Sequence, residues 1–409
     1  MTAGSRGDVA PYTGLGHALL RAGHQVTLVT HGRFEPLVAG SGLGFHALPV
    51  DPRAELESPR GRALHRSAGG VGKLVRVVTM ARALVGRMTD DLLAAARSGD
   101  VLLLSSSLAP LGHAIAEGLG LPSAGVYLQP LAPTREFAPS VLGAGSWGAA
   151  GNLLAGHGVE LAVERVFSAA VPEVRARLGL PATTPGAARR TREARDWPVL
   201  HGFSPLVVPR PRDWRPGLGI AGYWWPYDRE PRLPAELLAF LDAGPPPVFV
   251  GLGSATVPDA ARLSAELVRA LRRAGLRGVF QRGWGGLAAS GDDMLTVGEV
   301  PHSVLFPRVA AVVHHAGAGT TAAGVRAGVP AVPVPIQFDA GFWAARLVAL
   351  GVAPRALPLR RLTADAMASA LVRAIRDPAF RENARALAAR VRAEDGTAAV
   401  VETLDRLGR

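Results

Sequence analysis

Short apolar runs alternate along the chain with longer stretches in which apolar positions recur every three or four residues. The short runs predict buried strands, and the longer stretches predict helices. The predicted strands are QVTLVT (25–30), VLLL (101–104), SAGVYL (123–128), PVFVGLG (247–253), AAVVHH (310–315) and AVPVP (331–335). The predicted helices lie near 11–22, 108–119, 258–275, 319–328, 340–350 and 363–375. Such alternation is typical of α/β domains built on parallel sheets.

Two segments share one order of elements: strand, turn, helix, Gly-X-Pro, strand. Their Gly-X-Pro marks begin at Gly120 and Gly328, which are 328 − 120 = 208 residues apart. We infer two doubly wound parallel-sheet domains of similar size, although shared helix-stop chemistry can produce the same likeness. The proline-rich segment 222–237 marks the seam, so we predict domains at 1–225 and 226–409. Two such domains would face each other across a cleft at the carboxyl ends of their strands.

Composition narrows the classes of function. The 409 residues include no cysteine, which excludes disulfides, thiolate metal sites and a cysteine nucleophile. No uncharged apolar run is long enough to span a membrane, and we expect a cytoplasmic protein. The net charge of +12 does not indicate nucleic-acid binding, because Lys73 is the only lysine and the arginines are scattered. An excess of arginine, alanine and glycine is typical of a GC-rich genome such as that of an actinobacterium.

The stretch VVHHAGAGTTAAGVRAGVP (312–330) leads from a predicted strand through a glycine turn into a helix. A helix N-terminus presents free N–H groups and the positive end of a dipole, so it binds anions. His314 would add a hydrogen bond or a charge, and Thr320 would cap the helix or bind an oxygen. The alternative is that the histidines are structural and that Gly317 and Gly319 serve only the turn. We favour an anion site because these residue types occur together.

This stretch lies within VPHSVLFPRVAAVVHHAGAGTTAAGVRAGVPAVPVP, which resembles the nucleotide-sugar-binding region of family 1 glycosyltransferases. The resemblance is closest to the bacterial and fungal branch with antibiotic and sterol glycosyltransferases. It extends over nearly the whole chain, in TAGSRGDVAPYTGLGHALLRAGHQVTLVT, PTREFAP, GFSPLVVPRPRDW, AGYWW and FVGLGSAT. It implies the GT-B fold, in which two Rossmann-like domains bind the acceptor mainly in the first and the nucleotide sugar mainly in the second. It also implies inversion at the anomeric carbon.

The resemblance implies that the diphosphate of a dTDP- or UDP-sugar, which leaves in the reaction, is bound by His314, Gly317, Gly319 and Thr320. Ser254 is the matching candidate from the turn after a predicted strand, although it can equally be a helix N-cap. We expect no cofactor and no metal, since a helix N-terminus with a histidine can stabilise the diphosphate. The carboxylate pairs at 90–91 and 292–293 adjoin no glycine-loop anion site.

The acceptor hydroxyl needs a base, and GSRGDVAP offers Asp8 on a glycine-rich turn before a helix. An aspartate occupies this position in the antibiotic-type branch, so the resemblance implies that Asp8 is the general base. Partial burial would raise its pKa usefully. From the residues alone, Asp8 reads as a helix N-cap. Further candidate contacts with donor or acceptor are Ser5, Arg6, Trp284, Pro133 and Phe137, although packing is the simpler role for the tryptophan.

The segment PIQFDAGFW (335–343) departs from the family pattern, which often has Asp-Gln binding hydroxyls of the transferred hexose. Asp339 retains an acceptor for a sugar hydroxyl, whereas Ala340 does not. A buried hydroxyl without a partner costs ~1–3 kcal/mol. We therefore predict a deoxy- or aminosugar donor, unless Gln337 or a neighbour substitutes.

A second departure is that only three residues, 1–3, precede the glycine turn where the family has its first strand. Either the true start lies upstream of Met1 or the sheet tolerates a stub, and Asp8 would be the residue affected. Together with Ala340, the short first strand motivates the alternative of a nucleotide-sugar-binding homologue that has lost catalysis.

A nicotinamide-dependent oxidoreductase is disfavoured, since no GxGxxG follows the first strand. We expect a hydrophobic natural-product or sterol acceptor, and the loop 128–139 is the best candidate to meet it at the cleft. The helical segments 62–93 and 143–167 are further candidates to line its pocket, although packing on the sheet is the simpler role for most of their residues. The oligomeric state stays open.

Overall fold

Two sets of parallel strands, each flanked by helices, form the framework. The computed structural model describes residues 1–51, 54–55, 71–336 and 338–408, with the backbone alone at 71–77. The strands of the first half are β1 (Thr27–His31), β2 (Gly44–Leu48), β3 (Leu102–Leu104), β4 (Ser123–Tyr127), β5 (Val199–His201) and β6 (Leu218–Ile220). Its helices are α1 (Ala10–Arg21), α2 (Glu35–Val38), α3 (Val71–Ala96), α4 (Ala109–Leu119), α5 (Gly148–Val166), α6 (Ala170–Arg177) and α7 (Pro185–Ala194).

The first half contains two strand groups, joined by the first residues of the chain. β1 pairs with β2, and the second group has the order β3-β4-β5-β6, all parallel. The Thr2 N–H donates to the carbonyl of Val29 at 2.9 Å, and the Ser105 N–H donates to the carbonyl of Met1 at 3.0 Å. Residues 1–2 therefore lie between β1 and β3.

The second half has one five-stranded sheet of order β11-β10-β7-β8-β9, in which every pair is parallel. Its strands are β7 (Val248–Gly251), β8 (Gly278–Gln281), β9 (Met294–Val297), β10 (Ala311–His314) and β11 (Ala331–Pro333). Its helices are α8 (Ala235–Asp242), α9 (Ala260–Ala274), α10 (His302–Leu305), α11 (Ala318–Ala327), α12 (Ala340–Ala349), α13 (Ala364–Arg376), α14 (Pro378–Arg392) and α15 (Ala398–Leu407). The predicted parallel α/β architecture is confirmed.

The two repeated segments form equivalent βαβ units, β3-α4-β4 and β10-α11-β11. Gly120 ends α4 and Gly328 ends α11, with φ of 68° and 72°. This left-handed backbone is accessible to glycine without a Cβ clash, which explains why each helix stops there. The inferred repeat is thus present: in each half, a helix ends at a glycine and is followed by a strand parallel to the one before the helix.

The two halves meet through α12. The ring of Phe342 lies 5.3 Å from that of Phe137, and the ring of Trp343 lies 5.9 Å from that of Phe203. The Arg346 guanidinium donates to the carbonyl of Val207 at 2.6 Å. This helix of the second half is therefore fixed against the core of the first half.

The chain also returns to the first half at its last described helix. Val400 and Leu404 of α15 belong to the buried cluster that contains Tyr12 of α1. The indole N–H of Trp224, in the segment between the halves, donates to the carbonyl of Gly396 at 2.7 Å. The chain crosses between the halves twice, and the domain division at residue 225 stays a prediction.

Candidate active site

A cleft of about 1500 Å³ lies between the halves, at the carboxyl ends of the strands of both. Loops from both halves line it, because parallel strands bring all their following turns to one edge of the sheet. The contributing segments include the turn at Gly4–Asp8, the turns after β3, β4, β7, β8 and β10, and the start of α12.

The side chain of Asp8 is fixed by the turn that precedes it. One carboxylate oxygen, Oδ2, accepts hydrogen bonds from the N–H of Ser5 at 2.8 Å and from its hydroxyl at 3.0 Å. A Cβ at Gly4, where φ is 148°, would lie 2.4 Å from that oxygen, so the turn requires glycine. Val9, not Asp8, is the N-cap of α1, so the alternative of Asp8 as the cap of that helix is wrong. Burial raises the pKa of Asp8, and the hydrogen bonds of Ser5 oppose that rise.

Two polar residues near Asp8 escaped the sequence analysis. The amide Nε2 of Gln129 donates to Oδ1 of Asp8 at 3.4 Å, and its Oε1 accepts from the hydroxyl of Ser106 at 3.3 Å. Ser106 follows β3 and Gln129 follows β4. The signal that could have revealed them is a polar residue two positions after the end of each of two neighbouring parallel strands.

The N-terminus of α11 opens into the cleft with free N–H groups. Gly317 is the N-cap, and among the described residues no side chain caps this end. Thr321 is the first residue whose N–H reaches back, to the carbonyl of Gly317 at 2.9 Å. Gly317, Gly319 and Thr320 line the cleft, as predicted for an anion site. This end of the helix has the N–H groups and dipole that hold a phosphate.

The two adjacent histidines border different cavities. His314 ends β10, is 1% exposed, and borders a separate small cavity with Thr321 and Leu347. Its Nδ1 accepts the N–H of Ala316 at 3.2 Å, and burial lowers its pKa to about 3. His315 lines the cleft instead. The predicted position of His314 in the cleft is thus corrected, because His314 ends the buried strand β10 and His315 begins the turn that lines the cleft.

The imidazole of His315 fits between two glycines. A Cβ at Gly253 would lie 2.7 Å from its Cε1, and a Cβ at Gly317 would lie 2.4 Å from its Nε2. Its Nδ1 is buried and has no hydrogen-bond partner among the described residues. Burial lowers the pKa of His315 to about 4, so the ring is neutral at pH 7 and has one N–H to donate.

Ser254 lies in the turn after β7 and lines the same cleft. Its alternative role as the N-cap of α9 is wrong, because Asp259 fills that position and accepts the N–H of Arg262 at 2.9 Å. The hydroxyl of Ser254 is therefore free of the helix start and lies beside the glycine that contacts His315.

The start of α12 brings Asp339 and Ala340 to the cleft. The indole N–H of Trp343 donates to Oδ2 of Asp339 at 2.7 Å, and burial raises the pKa of Asp339 to about 6. Ala340 is 3% exposed and presents only its methyl group. Phe338 is 66% exposed with a φ of 51°, a strained conformation for an aromatic residue. Gln337, the alternative partner for a sugar hydroxyl, lies outside the described residues.

Of the five residues predicted as further contacts with donor or acceptor, three line the cleft and two pack in the structure around it. Ser5, Arg6 and Trp284 line the cleft, and the guanidinium of Arg33 lies 5.2 Å from the centre of the Trp284 ring. The other two, Pro133 and Phe137, do not line it. Pro133 packs on Gly156 of α5, and Phe137 packs on Phe342, so these two loop residues support the structure around the cleft.

No group of three or more metal-ligating side chains occurs within the described ranges. One aspartate from each of the two adjacent-aspartate segments, 90–91 and 292–293, forms a salt bridge. Asp90 lies 2.7 Å from Arg177, and Asp293 lies 2.9 Å from Arg272. None of the described helices has the length and apolarity needed to cross a bilayer.

Comparison with known proteins identifies both halves of the chain. Residues 1–136 match the glycosyltransferase family 28 N-terminal domain, and residues 258–407 match the erythromycin biosynthesis protein CIII-like C-terminal domain. The O-mycaminosyltylonolide 6-deoxyallosyltransferase of Streptomyces fradiae is 36% identical, over 97% of this chain and 94% of that protein.

The sterol 3-beta-glucosyltransferase of Candida albicans is 32% identical over 99% of this chain, which spans only 27% of that longer protein. The solved structure of the glycosyltransferase SsfS6 from Streptomyces sp. SF2575, complexed with thymidine diphosphate, has a TM-score of 0.65. It is 22% identical and covers 99% of this chain and 98% of its own. The chain therefore belongs to the family 1 glycosyltransferases and is a glycosyltransferase of the GT-B fold.

Proposed function

We propose that the chain transfers a sugar from a dTDP- or UDP-sugar to a hydroxyl of a hydrophobic natural product, with inversion and without a metal. The observation that carries this proposal is the arrangement of the cleft. A buried carboxylate, Asp8, belongs to the first half. An uncapped helix N-terminus with His315 belongs to the second.

The proposed chemistry divides between these two groups. Asp8 accepts the proton as the acceptor oxygen attacks the anomeric carbon, and the bond from that carbon to the diphosphate oxygen breaks. The nucleoside diphosphate leaves with its negative charge beside the N–H groups of α11, the N–H of His315 and the hydroxyl of Ser254. Attack opposite to the leaving group inverts the anomeric carbon.

We propose a deoxy- or aminosugar as the transferred group. Asp339 accepts hydrogen bonds from sugar hydroxyls, and the buried methyl group of Ala340 accepts none. The name of the Streptomyces fradiae relative specifies a 6-deoxyhexose, which agrees with this choice. A panel of dTDP- and UDP-sugars tests it, and a strong preference for UDP-glucose would exclude the deoxysugar.

A hydrophobic acceptor is supported by the apolar lining on the first half, formed by Leu84, Leu128, Leu131 and Val141. The relatives' names specify O-mycaminosyltylonolide and a sterol as acceptors. A cytoplasmic location and the roles of Ser5, Arg6 and Trp284 as substrate contacts belong to the same proposal.

Titration calorimetry with UDP, dTDP and GDP tests the donor site without knowledge of the acceptor. We expect dTDP or UDP to bind in the presence of EDTA, and absence of binding by all three would overturn the proposal. Asp8→Asn should keep nucleotide affinity and lose ~10²–10⁴ in the rate of transfer, the usual contribution of a general base. Nucleotide binding with no transfer across a broad acceptor panel would favour a binding protein instead.

A further inference from the structure

We propose that Gln129, oriented by Ser106, is the positioning residue that holds the carboxylate of Asp8 in the conformation from which it accepts the proton. This inference rests on the proposed role of Asp8 as the base. The three residues form a chain of hydrogen bonds from β3 through β4 to the catalytic turn.

The direction of each hydrogen bond follows from the chemistry of its donor. Ser106 donates to the amide oxygen of Gln129, which leaves the amide NH₂ group to face Asp8. That NH₂ donates to Oδ1, while Ser5 donates twice to Oδ2. The two carboxylate oxygens are thus held from opposite sides, and rotation of the carboxylate breaks one set of bonds or the other.

Only one oxygen retains free capacity for a substrate proton. Oδ2 accepts two hydrogen bonds from Ser5, whereas Oδ1 accepts one long hydrogen bond of 3.4 Å from Gln129. A long bond leaves a lone pair of Oδ1 accessible to an incoming hydroxyl. Gln129 therefore keeps the available oxygen in place without saturating it.

The same amide affects the protonation of Asp8. Burial raises the pKa of the Asp8 carboxyl, and the hydrogen bond of Gln129 to the charged form lowers it. The other titratable groups around this turn are Tyr12, His31, Arg6 and Asp339. None of them changes when Gln129 or Ser106 is replaced, so a difference between variants reports the amide alone.

Gln129→Met removes the donor with little change in size. We expect kcat to fall about tenfold, because the carboxylate loses its orientation. KM for the donor should be unchanged, and the acid limb of the pH profile of kcat/KM should move to higher pH. Gln129→Glu places a negative charge beside Asp8 and should move that limb further. Ser106→Ala should give a smaller shift in the same direction, because the amide remains but is no longer oriented.

Ser98→Ala is the matched control, since the hydroxyl of Ser98 donates to the carbonyl of Ala95 at the end of α3 and does not line the cleft. Its pH profile should match that of the unmodified protein. Rates are measured with the best acceptor of the panel and, as an acceptor-free reaction of the same base, by hydrolysis of the donor. Binding of dTDP and UDP verifies that each variant is folded.

The outcomes separate this inference from the proposed function. If Asp8→Asn retains full activity, Asp8 is not the base and the proposed mechanism fails. If Asp8→Asn is inactive but Gln129→Met keeps the kcat and pH profile of the unmodified protein, the positioning role alone is overturned. A rise in KM for the donor with unchanged kcat would also overturn it, because that pattern reports donor binding.

Discussion

Replacement of the two adjacent histidines should separate nucleotide affinity from stability. His315 lines the cleft beside the N-terminus of α11, whereas His314 is buried behind β10. We therefore expect His315→Ala to weaken binding of dTDP or UDP with little change in stability. His314→Ala should do the reverse.

The magnitudes follow from the contacts of each ring. A neutral N–H that donates to a charged phosphate oxygen contributes ~1.5–3 kcal/mol, so Kd should rise by about 10- to 100-fold in His315→Ala. In His314→Ala, the buried N–H of Ala316 loses its acceptor and the imidazole leaves a cavity. Together these changes should lower the free energy of unfolding by ~3 kcal/mol.

Calorimetry with dTDP and UDP measures the first effect, and urea unfolding measures the second. His315→Gln is a useful companion, since its amide can donate in place of the imidazole and should restore part of the affinity. The reasoning fails if His314→Ala weakens nucleotide binding more than tenfold while its stability is unchanged. It fails equally if His315→Ala binds as tightly as the unmodified protein.

Three further predictions concern the same turn and the buried histidines. Gly317→Ala places a Cβ 2.4 Å from Nε2 of His315 and should raise the Kd for dTDP about tenfold by displacing the ring. Gly324→Ala, where a Cβ meets nothing within 4 Å, should leave calorimetric affinity unchanged. Ala316→Gly relieves a φ of 61° and should raise the free energy of unfolding in urea by ~0.5–1 kcal/mol; a loss of stability would contradict the strain argument. Within the described part of the chain, burial lowers the pKa values of five histidines to about 3 or 4, so the folded protein binds fewer protons than the unfolded chain below pH ~6.5. Stability should therefore fall as the pH is lowered from 6.5 to 4. The raised pKa of Asp339 partly opposes this loss, because its carboxyl takes up a proton more readily in the folded state. A melting temperature that rises as the pH is lowered over this range would refute the prediction. These histidines are His113, His201, His302, His314 and His315.

The architecture was predictable because it depends on patterns that recur locally. Buried parallel strands are continuous apolar runs, and Gly120 and Gly328 end helices for a reason visible in the residue type. The uncapped N-terminus of α11 followed in the same way from glycines after a strand. These features need no knowledge of how distant segments pack.

The errors arose where tertiary packing decides between neighbours. The choice between His314 and His315 depends on which of the two still belongs to the buried strand, and β10 ends only at His314. Ser254 and Asp259 are both residue types that favour a helix N-cap, and α9 begins after Asp259. Gln129 meets Asp8 only because β4 lies beside β3, a contact across 121 residues.

The double crossing of the chain has a consequence for exchange of halves between relatives. A chimera joined at the single point 225 would bring α15 of one parent against α1 of the other, and would pair Trp224 with a foreign residue 396. Two junctions, one in the segment after β6 and one before α15, would keep those contacts within one parent. Exchange of the second half is therefore the replacement of an internal segment, and the last helix must come from the same parent as the first half.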